Sequence, residues 1–111
     1  MIMQIKDMNA SPEDELKANK LIGLMYDAYN VGQYVGRLYR CSARIISYDR
    51  YIVLVSYNTP VAIYDDFTEN LYDLLRPVYG YTATSSQHIS KFSKWLAENN
   101  YPVKEFVRFI Y

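Results

Sequence analysis

The sequence predicts an α+β domain: a small antiparallel sheet of three to four strands packed with two amphipathic helices. Two observations lead there. Segments with helical spacing flank a central run of β-branched and aromatic residues, and the links within that run are too short for parallel crossovers. At 111 residues the chain, 1–111, reads as a single domain.

The first helix opens at Ser11-Pro12-Glu13-Asp14. Ser11 suits the cap, Pro12 the first helical position, and Glu13, Asp14 and Glu15 meet the positive end of the helix dipole. Ala18, Leu21, Ile22, Met25, Ala28 and Tyr29 then recur on one face, and Asn30 and Gly32 end the element. Residues 33–42 fit a helix and a strand about equally. From Ala43 the period shortens. Residues 44–48 and 51–57 read as a hairpin turning at Tyr48-Asp49-Arg50, the second run apolar on both faces and therefore central. Asn58-Thr59-Pro60 punctuates the chain before a third strand, Val61 to Tyr64, and Asp65 to Asn70 forms an acidic loop. A fourth strand runs from Leu71 to Leu75 or Val78, with a helical turn as the alternative. Thr84 with Gln87 three residues later predicts a capping box, and Ile89, Phe92 and Leu96 give the second helix its apolar face. After Pro102, residues Val103, Phe106, Val107 and Ile110 keep helical spacing, with an edge strand as the alternative.

Composition excludes several classes. Twelve cations balance twelve acids, so the whole molecule is neither a strongly basic nucleic-acid coat nor an acidic mimic of DNA. One Cys and one His exclude a disulfide framework and zinc sites of the Cys₄ or Cys₂His₂ kind, and no cofactor motif is present. No window approaches the roughly 20 apolar residues of a membrane span. Met1 to Met8 lacks the roughly 7–15-residue apolar stretch of a signal peptide. A cytoplasmic protein with a reduced Cys41 is the expectation.

No catalytic set emerges. Cys41 and His88 lie in separate elements, and a small buried thiol with a surface histidine accounts for them. Ser85, Ser86 and His88 fit a capped helix start, and Asp65, Asp66, Glu69 and Asp73 lack calcium-loop spacing. A non-enzymatic role is expected. Two binding features stand out. Tyr34, Arg37, Tyr39, Arg40, Arg44, Tyr48, Arg50 and Tyr51 interleave aromatic and cationic groups, a combination found both in single-strand nucleic-acid sites and in protein hot spots. Thr59, Thr82, Thr84, Ser85, Ser86, His88, Lys91 and Lys94 compose a second candidate, a polar or anion site at a helix N-terminus.

The segments Ser56-Tyr57-Asn58-Thr59-Pro60-Val61-Ala62 and Tyr81-Thr82-Ala83-Thr84-Ser85-Ser86-Gln87-His88-Ile89 carry a resemblance. They resemble a family of short proteins encoded by phages and plasmids of Gram-positive bacteria, with Ser-Tyr-x-Thr-x-Val-Ala followed by a Tyr-Ser-x-Thr-Thr-Ser-Lys-His-Ile-like segment. The likeness spans Ser56 to Phe92 and departs at Thr82, Ser85 and Gln87; Gln87 removes a positive charge beside His88. The resemblance implies a mobile-element protein that binds a larger host machine stoichiometrically, anti-CRISPR inhibitors of host nucleases being one such class. Binding to a host protein is thus the leading expectation. The alternative is a nucleic-acid-binding module using Arg37, Arg40, Arg44, Lys91 and Lys94, and a homodimer is compatible with either.

Overall fold

The computed structural model describes residues 4–111. The structure is a seven-stranded mixed sheet with helices on both faces. The elements in order are β1 (Gln4–Met8), α1 (Pro12–Val31), β2 (Gln33–Arg37), β3 (Ala43–Tyr48), β4 (Tyr51–Ser56), β5 (Thr59–Asp65), β6 (Asn70–Asp73), α2 (Leu75–Val78), α3 (Ala83–Glu98) and β7 (Glu105–Phe109). The strand order is β1-β7-β6-β5-β4-β3-β2. Strands β2 to β6 form an antiparallel meander, while β7 runs parallel to both β6 and β1.

The middle of this sheet dictates the layers. Along β4 and β5, Val53, Val55 and Ile63 turn to one face, and Ile52, Leu54, Ala62 and Tyr64 turn to the other; all are buried. Alternating apolar residues on both faces need cover on both. Helix α1 supplies one layer through Ala18, Leu21, Met25 and Ala28, and α3 supplies the other through Ile89, Phe92 and Leu96. A bulge between Leu54 and Val55 sets Val61 and Ala62 together on the α3 face.

Length fits topology. Helix α1 links β1 at one edge to β2 at the other, so it must cross the sheet. Its 20 residues span about 30 Å at 1.5 Å per residue, and six interstrand gaps of about 4.8 Å require nearly the same. Gly32 closes the helix where it meets β3. A Cβ there would collide with the Ala28 carbonyl and sit 2.6 Å from Ile46 Cγ2, so the close approach needs glycine.

Several sequence expectations are corrected. The sheet has seven strands, not three to four, and is mixed rather than antiparallel. The parallel pair β6–β7 uses α3 as its crossover, and β7 in turn pairs with β1 from the opposite end of the chain. The tail is strand, not helix: Val107 and Phe109 face α1 while Phe106 faces α3. Residues 33–42 are β2 and a tight turn. The turn after β4 is Tyr57-Asn58, so Thr59 and Pro60 already belong to β5. The fourth strand stops at Asp73, and Leu75–Val78 is a third, one-turn helix. Thr82, not Thr84, caps α3, accepting from the Ser85 amide at 3.2 Å. Of the segment from Met1 to Met8, which lacks a signal peptide's apolar stretch, residues 1–3 lie outside the described residues and the rest is β1. Among the described residues no helix is long and apolar enough to cross a membrane.

Two glycines make the packing testable. Gly32→Ala should destabilise by about 1–3 kcal/mol through overpacking, whereas Gly23→Ala, with open space around its position, should stabilise by about 0.5–1 kcal/mol. Urea denaturation of both variants checks this; equal effects would contradict the proposed fit of α1 against β3.

Candidate functional site

The pairings run β1, β2, β4, β6 and β7 in one direction, so their carboxyl ends share one end of the sheet. That end holds a cleft of about 330 Å³ between the β4–β5 turn, the chain after α2 and the start of α3, lined by Ser56, Tyr57, Thr59, Tyr79, Thr82 and Thr84 among others.

The cleft rests on a buried polar network. Ser56, Ser85 and His88 are all buried. Ser56 Oγ lies 2.8 Å from His88 Nδ1 and 2.9 Å from Ser85 Oγ. With His88 neutral and Nδ1 unprotonated, the Ser56 hydroxyl donates to the ring and accepts from Ser85. Burial, with a smaller contribution from nearby Lys91, holds the His88 pKa below its ordinary 6.5 and favours that neutral form. The hydroxyls and ring thus tie α3 to the end of β4. Tyr57 tilts over the His88 ring at 5.7 Å between centroids. It holds a φ of 56°, a left-handed conformation uncommon for a bulky residue, and stands 55% exposed beside the cleft.

A cationic surface adjoins the cleft through Tyr57. One neighbouring hollow is lined by Tyr34, Arg37, Cys41, Arg44 and Tyr57, and the next by Tyr39, Arg40, Cys41, Lys91 and Lys94. The chemistry follows from sequence: residues 28–48 and 74–97 hold half of the twelve cations and none of the acids. The fold brings these two acid-free segments together where Lys91 Nζ reaches Cys41 Sγ at 3.4 Å. Arg37 is braced by the carbonyls of Cys41, at 2.9 Å, and Arg40. Arg44 donates to the Tyr57 carbonyl at 3.3 Å and lies over the Tyr29 ring. Arg40 is exposed. The Tyr39 hydroxyl donates to Glu98, and desolvation together with that hydrogen bond pushes its pKa up to about 12. Lys94 covers the same ring.

The predicted aromatic and cationic set is divided by the fold. Tyr34, Arg37, Tyr39, Arg40 and Arg44 lie toward the cleft end, joined by Lys91 and Lys94. Tyr48, Arg50 and Tyr51 sit at the opposite end of the β3–β4 hairpin, where Arg50 pairs with Asp65 at 3.1 Å and lies over the Tyr51 and Phe67 rings. Of the predicted polar set, Thr59, Thr82, Thr84 and Ser85 line the cleft, His88 lies beneath it, and the Ser86 amide donates to the Thr82 carbonyl in the first turn of α3. His88 is buried, not a surface residue. Ser56, Tyr57 and Tyr79 are not among the candidate residues: Ser56 ends a central strand, Tyr57 opens the turn after it, and Tyr79 follows a single helical turn. Among the described residues, no group of three or more His, Cys, Asp or Glu could hold a metal ion.

Fold and site together define an α+β sandwich, a mixed sheet covered on both faces, with a hydroxyl-lined cleft and a cationic surface at the carboxyl end of β4. The chain belongs to DUF8033, a family of unknown function that it matches over residues 13–108. That span includes every residue of the cleft and of the cationic surface. The match carries no activity, and nothing in it speaks of phage or plasmid origin. No curated protein and no solved structure matches the chain.

The neutral state of His88 fixes the sign of a pH effect. Between its lowered folded pKa and 6.5 the unfolded chain binds the extra proton, so stability is fully present above pH 6.5 and declines as pH falls below it. Denaturant midpoints between pH 7.5 and 5 should show this decline in the native chain and lose it in His88→Gln, since His88 is the only histidine. Ser56→Ala, which leaves ring and Ser85 short of a partner, should cost about 1–3 kcal/mol at pH 7.5.

Proposed function

We propose that this protein is a binding module for single-stranded nucleic acid, gripping the phosphate backbone with Arg37, Arg40, Arg44, Lys91 and Lys94. The observation that carries this reading is the separation of charge. A chain neutral overall gathers five cations around Cys41 from two segments without an acid, with the Glu98 carboxylate accepting from Tyr39 at their border. Polyanions respond to such local concentration rather than to net charge. The exposed rings of Tyr34, Tyr39 and Tyr57 interleave with these cations, and base stacking on aromatic faces beside a cationic track is how single strands are held. The backbone braces on Arg37 and Arg44 leave their charge intact while fixing its position.

A second reading keeps the mobile-element setting implied by the resemblance and makes the protein an inhibitor that occludes a host protein. One observation favours it: among the described residues the outer edge of β2 has no neighbouring strand, and Tyr34 and Val35 stand more than half exposed along it. Such an edge can accept a strand from another chain, including a second copy. Capture of no host protein by micromolar bait, together with a monomer in light scattering, would contradict this reading.

Fluorescence anisotropy with a labelled 20-nucleotide single strand tests the main proposal. If four or five phosphates are neutralised, affinity should fall on the order of 50- to 100-fold between 50 and 200 mM salt. Arg40→Glu combined with Lys91→Glu should weaken binding at least about tenfold, whereas Lys20→Glu, on the far helix, should leave it unchanged. Salt-independent binding, or none at either concentration, would overturn the proposal.

A further inference from the structure

We infer that the cleft at the start of α3 is a base-reading pocket, taking a single unstacked nucleobase from a strand whose backbone lies on the cationic surface. This deepens the nucleic-acid reading and rests on it. The argument begins with continuity. Tyr57 lines both the cleft and the hollow that contains Arg37 and Arg44, so a strand tracked by those arginines passes the cleft mouth. About 330 Å³ is ample for one base, and a duplex cannot offer a base to it without unpairing and extruding that base.

The walls suit a planar heterocycle. Tyr57 and Tyr79 are both more than half exposed at the cleft and offer aromatic faces. Between them the lining is hydroxyl rather than charge. Ser56 and Ser85 are committed to each other and to His88, and Thr82 accepts from the Ser85 amide. Thr59 and Thr84 stand outside that network. Each hydroxyl can donate or accept, which matches the mixed donors and acceptors on a base edge. Helix geometry leaves the first amides of α3, those of Ala83 and Thr84, without intrahelical acceptors and so adds donors at the same rim.

The hairpin presents Tyr57 to the cleft. Its left-handed φ of 56° belongs to the two-residue β4–β5 turn, as the φ of 53° at Asp49 belongs to the β3–β4 turn. The turn holds the ring over His88 and leaves it exposed at the cleft mouth.

The experiment compares labelled dA10, dC10 and dT10 by anisotropy at fixed low salt, for the native chain, for Tyr57→Gly and for Thr59→Val combined with Thr84→Val. The native chain should rank the three oligonucleotides across about threefold to tenfold in affinity, the range one or two hydroxyl contacts provide. The double threonine variant should flatten that ranking while keeping the salt dependence, because the phosphate contacts are untouched. Tyr57→Gly should weaken all three about tenfold through lost stacking, with a thermal midpoint equal to or above the native one. Equal affinities for the three oligonucleotides, or a ranking that survives the double variant, would overturn the base pocket and leave the phosphate-tracking surface standing. Absence of binding to any of the three would overturn both.

Discussion

Apolar burial on both faces of β4 and β5 is the constraint from which the rest of the structure follows. A sheet wet on one side would need a single helical layer. Here Val53, Val55 and Ile63 on one face, and Ile52, Leu54 and Tyr64 on the other, each require cover. The hydrophobic return for such side chains is about 1.5–3 kcal/mol each when fully buried, far more than any surface ion pair in this molecule contributes. One helix per face therefore wins over two on the same side. Once α3 must lie on the face opposite α1, it serves as the crossover between β6 and β7, and its N-terminus is delivered to the carboxyl end of β4.

That delivery is what creates the site. Ser56 leaves β4 on the α3 face, where Ser85 and His88 meet it within hydrogen-bond distance. The same packing sets Lys91 and Lys94 beside the turn that carries Tyr39, Arg40 and Cys41. Residues from β4, from α3 and from the turn between β2 and β3 thus converge. Buried polar groups of this kind are costly unless paired, so the network also fixes the register of α3 against the sheet.

The sequence made the local elements legible and left the long-range ones hidden. The Ser11-Pro12 helix start, the Gly32 stop and the β3–β4 hairpin were all readable, because capping, spacing and turn chemistry act within a few residues. Strands β1 and β7 were not. Their stabilisation comes from pairing across about a hundred residues of chain, and in the tail Val103, Phe106, Val107 and Ile110 mimic helical spacing while alternate residues face opposite layers. Parallel pairing escaped notice because α3 is both an amphipathic helix and the required crossover. At the site, Thr59 and the Thr82 to Ser85 hydroxyls were recognisable as candidates, but Ser56 owes its role to the end of a strand and the partner it meets there. The aromatic and cationic set was visible as composition. That Tyr48, Arg50 and Tyr51 fall at the wrong end could be seen only after the hairpin was oriented.

The central claim is that the two-layer packing gathers the acid-free segments at one end of the sheet and that this end binds the ligand. The most direct test is an amide proton–nitrogen NMR titration with a short single-stranded oligonucleotide. The account predicts shifts concentrated at residues 34–44, 57–59 and 79–94, with the acidic turn at 65–70 and the outer face of α1 unmoved. Shifts centred on those acidic and α1 residues instead, or scattered evenly over the surface, would contradict it.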